Sequence, residues 1–358
     1  MAIAGELFFD LYTIPGMTEA RLRRLLQRFG DPERIFGATA GELLEVERID
    51  MELVNAIGSY RRSDKLKALI GKAEQLDVKV ISCLDEQYPS NLRDMPQMPP
   101  VLFVRGELKP TDRLAVAVVG TRSPTYYGRQ VAERFSREMA RAGITIVSGL
   151  ARGIDTAAHR GALEAGGRTI AVTGCGIDQC YPPENRRLCE EIVANGAILS
   201  EFPLGMGPMA LNFPRRNRIV SALSRAVVAV EAGERSGVLN TVAWAFEQGR
   251  EVYSVPGRIT DAKSAGTNRL LRQGAKPLTS ADEILTDLGV AVRQCPQEQI
   301  DATAEEAPVL EFIGNDPIHI DELCEALGVS MPRLLGLLLQ MELRGVVRQL
   351  PGKYFVRC

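Results

Sequence analysis

Four short segments carry the residues best suited to chemistry. They are Gly120-Thr121-Arg122, Ser148-Gly149-Leu150-Ala151-Arg152-Gly153, Phe213-Pro214-Arg215-Arg216-Asn217-Arg218 and Glu234-Arg235-Ser236-Gly237. Glycine lets backbone N–H groups approach a ligand closely, and a following helix start favours an anion. Arg122 and Arg152 add forked donors matched to phosphate oxygens. In the third segment, Arg215, Arg216 and Arg218 can neutralise phosphates, Asn217 offers an amide, and Phe213 offers a face on which a base can stack. Ser236 and Gly237 lead into a helix bearing Asn240 and Thr241, again with donors for an anion. The common chemistry is recognition of a phosphate-bearing ligand.

Several enzyme classes find no support. The first of these turns reads GTRSPTYYG rather than GxGxxG, and no acid ends the next strand, so a dinucleotide site is not indicated. A Walker A motif and a credible Ser–His–Asp set are missing. His159 falls on the helix after Gly153, where packing is its natural role. Asp155 either caps that helix or faces the ligand. The cysteines at 83, 175, 180, 189, 295, 324 and 358 contain no CxxC pair, and His159 and His319 are the only histidines. No zinc set with ordinary spacing results, and no cofactor is implied.

The elements that must hold these segments follow from apolar patterning. Residues 1–75 read as helices: Leu22, Leu25, Leu26 and Phe29 recur at helical spacing, with further helices near Gly41–Val46, Met51–Tyr60 and Ser63–Gln75. Residues 76–288 alternate strand and helix. Strands are expected at Val78–Cys83, Val101–Val104, Leu114–Val119, Ile144–Ser148, Thr169–Thr173, Ala197–Ser200, Ala226–Glu231 and Glu251–Val255. Such alternation builds a mostly parallel α/β sheet covered on both faces, and its ligands bind beyond the carboxyl ends of the strands. The third site segment reads as a loop before a helix Ile219–Leu223. Residues 289–306 lose periodicity and read as a linker. In 307–358, a short helix from Pro308, then Ile320–Leu327, the turn Gly328-Val329-Ser330 and a helix Pro332–Arg344 precede strands Gly345–Gln349 and Lys353–Arg357, which is a winged-helix pattern.

The 358 residues carry 43 Lys plus Arg against 45 Asp plus Glu, a net charge of -2. That balance excludes a basic coat over the whole chain. It is unevenly spread: residues 112–288 hold 22 cations against 18 anions, whereas 303–358 hold 5 against 8. The amino-terminal stretch MAIAGELFFDLY lacks the early cations of a signal peptide, and no run of residues reaches the length of a membrane helix, so a cytoplasmic location is expected.

In order along the chain stand VVGTRSPTYYG, SGLARGIDTAAH, TGCGID with YPPEN, LSEFP, FPRRNRIVSALS, ERSGVLNT, GREVYSVPG and GTNRLLRQGA. Together they resemble the DNA-processing (DprA/Smf) family of natural transformation over roughly residues 115–276. The resemblance implies an extended Rossmann-like domain that binds single-stranded DNA and forms homodimers. It further implies a non-enzymatic role in coating and protecting incoming DNA and loading the recombinase RecA. By motif, Arg122, Gly149, Gly153, Phe213, Asn217 and Arg218 would touch DNA, with Phe213 stacking a base. Where some members carry a DNA-binding lysine, this chain has Ala210. Ile14-Pro15-Gly16-Met17 is similar to a helix-hairpin-helix start, but Val46–Met51 lacks the second hairpin glycine, so a SAM-like or degenerate module used for packing is expected. The leucine-rich helix 332–344 in an acidic domain suits protein contact better than duplex recognition.

The competing reading is a nucleotide phosphoribohydrolase of the lysine-decarboxylase-like class on the same fold. There a glutamate works near the ribose, but RSGVLNTVAWA places Ala243 and Trp244 where that acid would stand, removing the evident catalytic group.

Overall fold

The computed structural model describes residues 5–93, 95, 97–290, 303, 305–314 and 317–357. The chain divides into two compact units, Met1–Val292 and Arg293–Cys358. The expected linker 289–306 falls for most of its length outside the described residues.

Among the described residues, nine strands form one sheet in the first unit: β1 (Lys79–Ser82), β2 (Val101–Gly106), β3 (Ala115–Val119), β4 (Thr145–Ser148), β5 (Thr169–Val172), β6 (Ala197–Ser200), β7 (Ala226–Ala229), β8 (Glu251–Ser254) and β9 (Lys276–Pro277). Their order is β1-β2-β6-β5-β4-β3-β7-β8-β9. β3 to β9 pair in parallel, while β1–β2 and β2–β6 are antiparallel. The expected strands are found within one or two residues of their predicted ends. β9 was not expected, because two residues carry no periodic signal. The five residues of β3 and the four each of β4 to β7 are fully buried, as a sheet covered on both faces requires. From β3 the chain winds outward to β6 in one direction and, from β7, in the other. The crevice at the carboxyl ends of β3 and β7 is therefore the topological switch point, where open α/β sheets bind ligands.

Among the described residues, six helices precede the sheet: Leu7–Thr13, Glu19–Phe29, Pro32–Gly37, Ala40–Leu44, Met51–Gly58 and Asp64–Gln75. Side-chain caps define several starts: Thr18, Asp31, Asp50 and Ser63 each accept a backbone N–H of the first turn, and Thr39 with Glu42 makes a capping box. The apolar stripe Leu22, Leu25 and Leu26 joins a core that also takes in Phe103 of β2 and Ile198 of β6. Phe9 stacks on Phe103 with ring centroids 5.1 Å apart. The helical segment thus shares a hydrophobic core with the sheet.

The second unit contains helices Ala307–Phe312, Ile320–Leu327 and Met331–Leu343 with a three-stranded sheet, β10 (Ile318–His319), β12 (Tyr354–Arg357) and β11 (Val347–Leu350). Leu334, Leu338 and Met341 are buried in its core, while Leu335, Leu339 and Leu343 are exposed on the opposite face of the same helix. Among the described residues no helix is long and apolar enough to cross a membrane.

Candidate functional site

At the switch point the loops after β3 and β4 cross in close contact. Thr121 N donates to Glu231 O (2.8 Å) after β7, and Ile154 N donates to Thr121 O (3.2 Å). Two glycines make that crossing feasible. A Cβ on Gly120 would stand 2.4 Å from Ile154 Cγ1. Gly153 has φ +79° and ψ -122°, a region open essentially to glycine, and a Cβ there would lie 2.4 Å from Thr121 O. Gly153→Ala is therefore expected to cost about 1–3 kcal/mol of stability, read by urea denaturation; an unchanged midpoint would show that the loops part without penalty.

Glu231 belongs to none of the four site segments, yet it braces one of them. Its buried carboxylate accepts from Thr125 N (2.8 Å) and Thr125 Oγ1 (2.7 Å), and so pins the exit of the GTR turn to the end of β7. An acid closing an otherwise apolar strand was the available signal.

Between these loops and the helix Asn212–Leu223 lies a cleft of about 670 Å³. Gly120, Thr121, Arg122, Gly149, Phe213, Arg216, Asn217, Ser236 and Gly237 line it, together with Asp155, Tyr181, Ala210, Asn240 and Thr241. Arg122 is exposed and holds its guanidinium 5.4 Å from the centroid of Phe213. No carboxylate pairs with Arg122 among the described residues. The Phe213 ring rests on Gly174, where a Cβ would come within 2.8 Å of Cδ1, and Tyr181 tilts against it at 5.6 Å. An unpaired cation beside a half-exposed aromatic pair is what a phosphate and an adjoining flat base require together.

The arginines of the third segment separate. The helix begins at Asn212 rather than near Ile219, so the run is helical throughout. At 3.6 residues per turn, Arg215 and Arg218 share one face and Arg216 points elsewhere. Arg216 is buried: Nη1 donates to Gly149 O (2.5 Å) and to Val172 O, tying the ends of β4 and β5 beneath the cleft. Arg215 and Arg218 leave the cleft for Glu201 and Glu19, with Arg218 Nη2 2.5 Å from Glu201 Oε2. Of the three, only Arg216 lines the cleft, and its donors serve the scaffold.

Other expected residues also stand apart. Ser148 is fully buried, its hydroxyl donating to Val118 O (2.7 Å). Arg152 lies at the surface, paired with Glu184. Gly153 shapes the loop crossing but does not line the cleft. Asp155 faces inward: Oδ2 accepts from Ala151 N (3.3 Å), and burial raises its carboxyl above the ordinary range against the pull of Arg216. His159 is wholly buried, its Nδ1 2.7 Å from Thr169 Oγ1, and burial pushes its pKa down to about 3, so it stays neutral. Ser236 Oγ accepts from Val238 N (3.3 Å) at the start of the helix Val238–Glu247.

Residues 79–289 match the family model for DNA recombination-mediator protein A, and residues 293–353 match the DprA winged helix domain. The chain is 39% identical over 291 residues to Protein Smf of Escherichia coli, covering 78% of each. It is 40% identical over 225 residues to the DNA processing protein DprA of Bacillus subtilis, covering 63% of this chain and 76% of that one. The X-ray structure of DNA processing protein A from Streptococcus pneumoniae superposes with a TM-score of 0.69 at 34% identity, over 80% of this chain and 99% of that one. DNA processing protein A from Helicobacter pylori, whose structure is described for its single-stranded DNA binding mode, gives a TM-score of 0.54 at 33% identity, over 60% of this chain and 96% of that one. With the central sheet and the winged unit both accounted for, the chain belongs to the DprA/Smf family.

Proposed function

We propose that this protein binds single-stranded DNA in the cleft at the switch point and acts without catalysis as a recombination mediator. In this reading it protects incoming DNA and loads the recombinase RecA during DNA uptake, working as a cytoplasmic homodimer. The observation that carries the DNA-binding part is the exposed, unpaired Arg122 over Phe213, at the mouth of a cleft built from glycine turns. Family membership supports the mediator role, and the structural relative from Helicobacter pylori is described as binding single-stranded DNA. The phosphoribohydrolase reading has no comparable support: Ala243 is exposed and outside the cleft lining.

A gel shift with a thymidine oligonucleotide, competed with duplex, tests the proposal. Preference for the single strand is expected, and equal competition by duplex would overturn it. Each phosphate neutralised on a single strand contributes about 0.7 to the slope of log affinity against log salt. Arg122→Ala is therefore expected to weaken binding and flatten that slope by about 0.7. An unchanged slope would take Arg122 out of the interface.

The winged unit is assigned to protein contact rather than duplex reading. Its two helix-end cations are already engaged, Arg333 with Glu305 at 3.5 Å and Arg344 with Glu306. Leu335, Leu339 and Leu343 make most of the exposed face of its long helix, with Gln340 as an amide beside them, a composition poor in polar base readers. Isolated residues 303–358 are expected not to retard duplex DNA at micromolar concentration, and a tight complex would reverse the assignment.

A further inference from the structure

Next to Tyr181 of the cleft lining, but outside the lining itself, lies a thiol pair that the proposed function does not use. Cys180 precedes Tyr181, and Cys189 lies on the helix Arg186–Asn195. Their sulfurs are 2.6 Å apart, and both cysteines are free. Cys180 is half-buried, whereas Cys189 is buried. A disulfide has an S–S distance of about 2.05 Å, so bond formation asks for a sulfur movement of only about half an ångström.

The segment that this bond would close carries the cleft wall. Tyr181 packs against Phe213 at 5.6 Å. Asn185 Nδ2 donates to Leu150 O (3.0 Å) and Thr156 Oγ1 (2.9 Å), fastening the segment to the loop after β4. Glu184 holds Arg152.

We propose that Cys180 and Cys189 form an oxidisable dithiol, modified by low-molecular-weight disulfides, whose closure fixes the Tyr181 segment beside the cleft. Cys180 is the attacking group. The Cys189 thiol beside it holds its pKa below the ordinary value, aided by Arg186 and Arg105 and opposed by burial. The Cys189 thiol is raised, chiefly through the same contact. With oxidised glutathione, the Cys180 thiolate attacks one glutathione sulfur, and a mixed disulfide forms as the first glutathione thiolate leaves. Cys189 then gives up its proton, and its thiolate attacks the Cys180 sulfur and displaces the second glutathione. Two protein thiols and one oxidised glutathione become one protein disulfide and two molecules of reduced glutathione.

The dithiol chemistry stands independently of what occupies the cleft, while its effect on binding rests on the single-stranded DNA reading. Fixing the segment before association removes part of the ordering cost of binding, so release of DNA should slow.

The test treats the full-length chain with oxidised glutathione, blocks remaining thiols, and maps linkages by peptide mass spectrometry. A Cys180–Cys189 linkage is expected, and Cys180→Ser and Cys189→Ala should each abolish it. Both thiols remaining open to alkylation, or glutathione retained on Cys180 without resolution, would overturn the dithiol. The off-rate of a thymidine oligonucleotide is then compared between the two redox forms. Oxidation is expected to slow release about threefold, with Cys180→Ser unresponsive and equal to the reduced protein. A disulfide that forms without changing the off-rate would overturn the coupling. Absence of single-strand binding in both redox forms would instead be the failure of the DNA reading, with the linkage map still deciding the dithiol.

Discussion

Replacing Arg218 by alanine is expected to destabilise the Met1–Val292 unit by about 3–5 kcal/mol at pH 8, the range for removing one partner of a buried ion pair. The Arg218 side chain is 2% exposed and that of Glu201 is fully buried. The truncation would leave a carboxylate without its closest countercharge and far from bulk water. Protonation offers a partial escape. Burial, together with the nearby Glu19 carboxylate, pushes the Glu201 carboxyl up to about 7 against Arg218 and Arg215. The loss should therefore be smaller at pH 6 than at pH 8. Urea denaturation at both values reads it, and an equal loss at each would mean that Glu201 does not relieve the cavity by taking a proton. The intact protein follows the same sign. A carboxyl raised above its ordinary value of 4.5 binds its proton more tightly in the folded state. Its contribution to stability is present below about 4.5 and lost as pH rises through about 7. Arg218→Met combined with Glu201→Gln should recover most of the loss, since pairs of this kind are often replaceable by uncharged side chains of similar volume.

The second large effect concerns the ligand. Phe213→Ala is expected to weaken binding of a thymidine oligonucleotide by about 1–3 kcal/mol, roughly a 5- to 150-fold rise in Kd. The ring is held on three sides, by Gly174 beneath it, Arg122 over it and Tyr181 beside it, and is half-exposed toward the cleft. A stacked base would meet the ring on its cleft side, with the exposed Arg122 side chain turning from the ring toward the adjoining phosphate. Because stacking involves no phosphate, the salt slope should stay unchanged while affinity falls. That pattern separates Phe213 from Arg122, whose loss should change the slope. A Phe213→Ala variant with the affinity of the wild type would place the bases elsewhere, whereas a variant with a flattened slope would show that the ring mainly positions Arg122.

The two substitutions fall on one helix, five residues apart, yet they test different properties. Phe213 lies over the cleft, and Arg218 lies behind it against Glu201 and Glu19. The basic run is therefore less a DNA-facing patch than its composition suggests. Two of its three guanidiniums meet carboxylates and the third meets backbone carbonyls. The excess of cations in residues 112–288 consequently overstates the charge available to a ligand, and Arg122 carries a larger share.

Much was legible in the order of residues. Strand positions follow from short β-branched runs, because a sheet buried on both faces admits little else. The cleft follows from glycine-rich turns at strand ends, because only such turns let neighbouring loops pass at van der Waals distance. The start of the helix at Asn212 was less legible, since the Pro214 that suggests a break fits the first turn of a helix. Reading that start correctly would have placed Arg215 and Arg218 on a shared face. It would not have revealed what that face meets. Glu19 lies 196 residues before Arg215, and Tyr181 reaches Phe213 from a separate loop. The sequence by itself determined the strands, the turns and the identity of the donor groups, because backbone preference and apolar periodicity act over a few residues. Only the tertiary structure decided which arginine stays free for a ligand, because a carboxylate can cancel a charge only when the fold brings the two within a few ångströms.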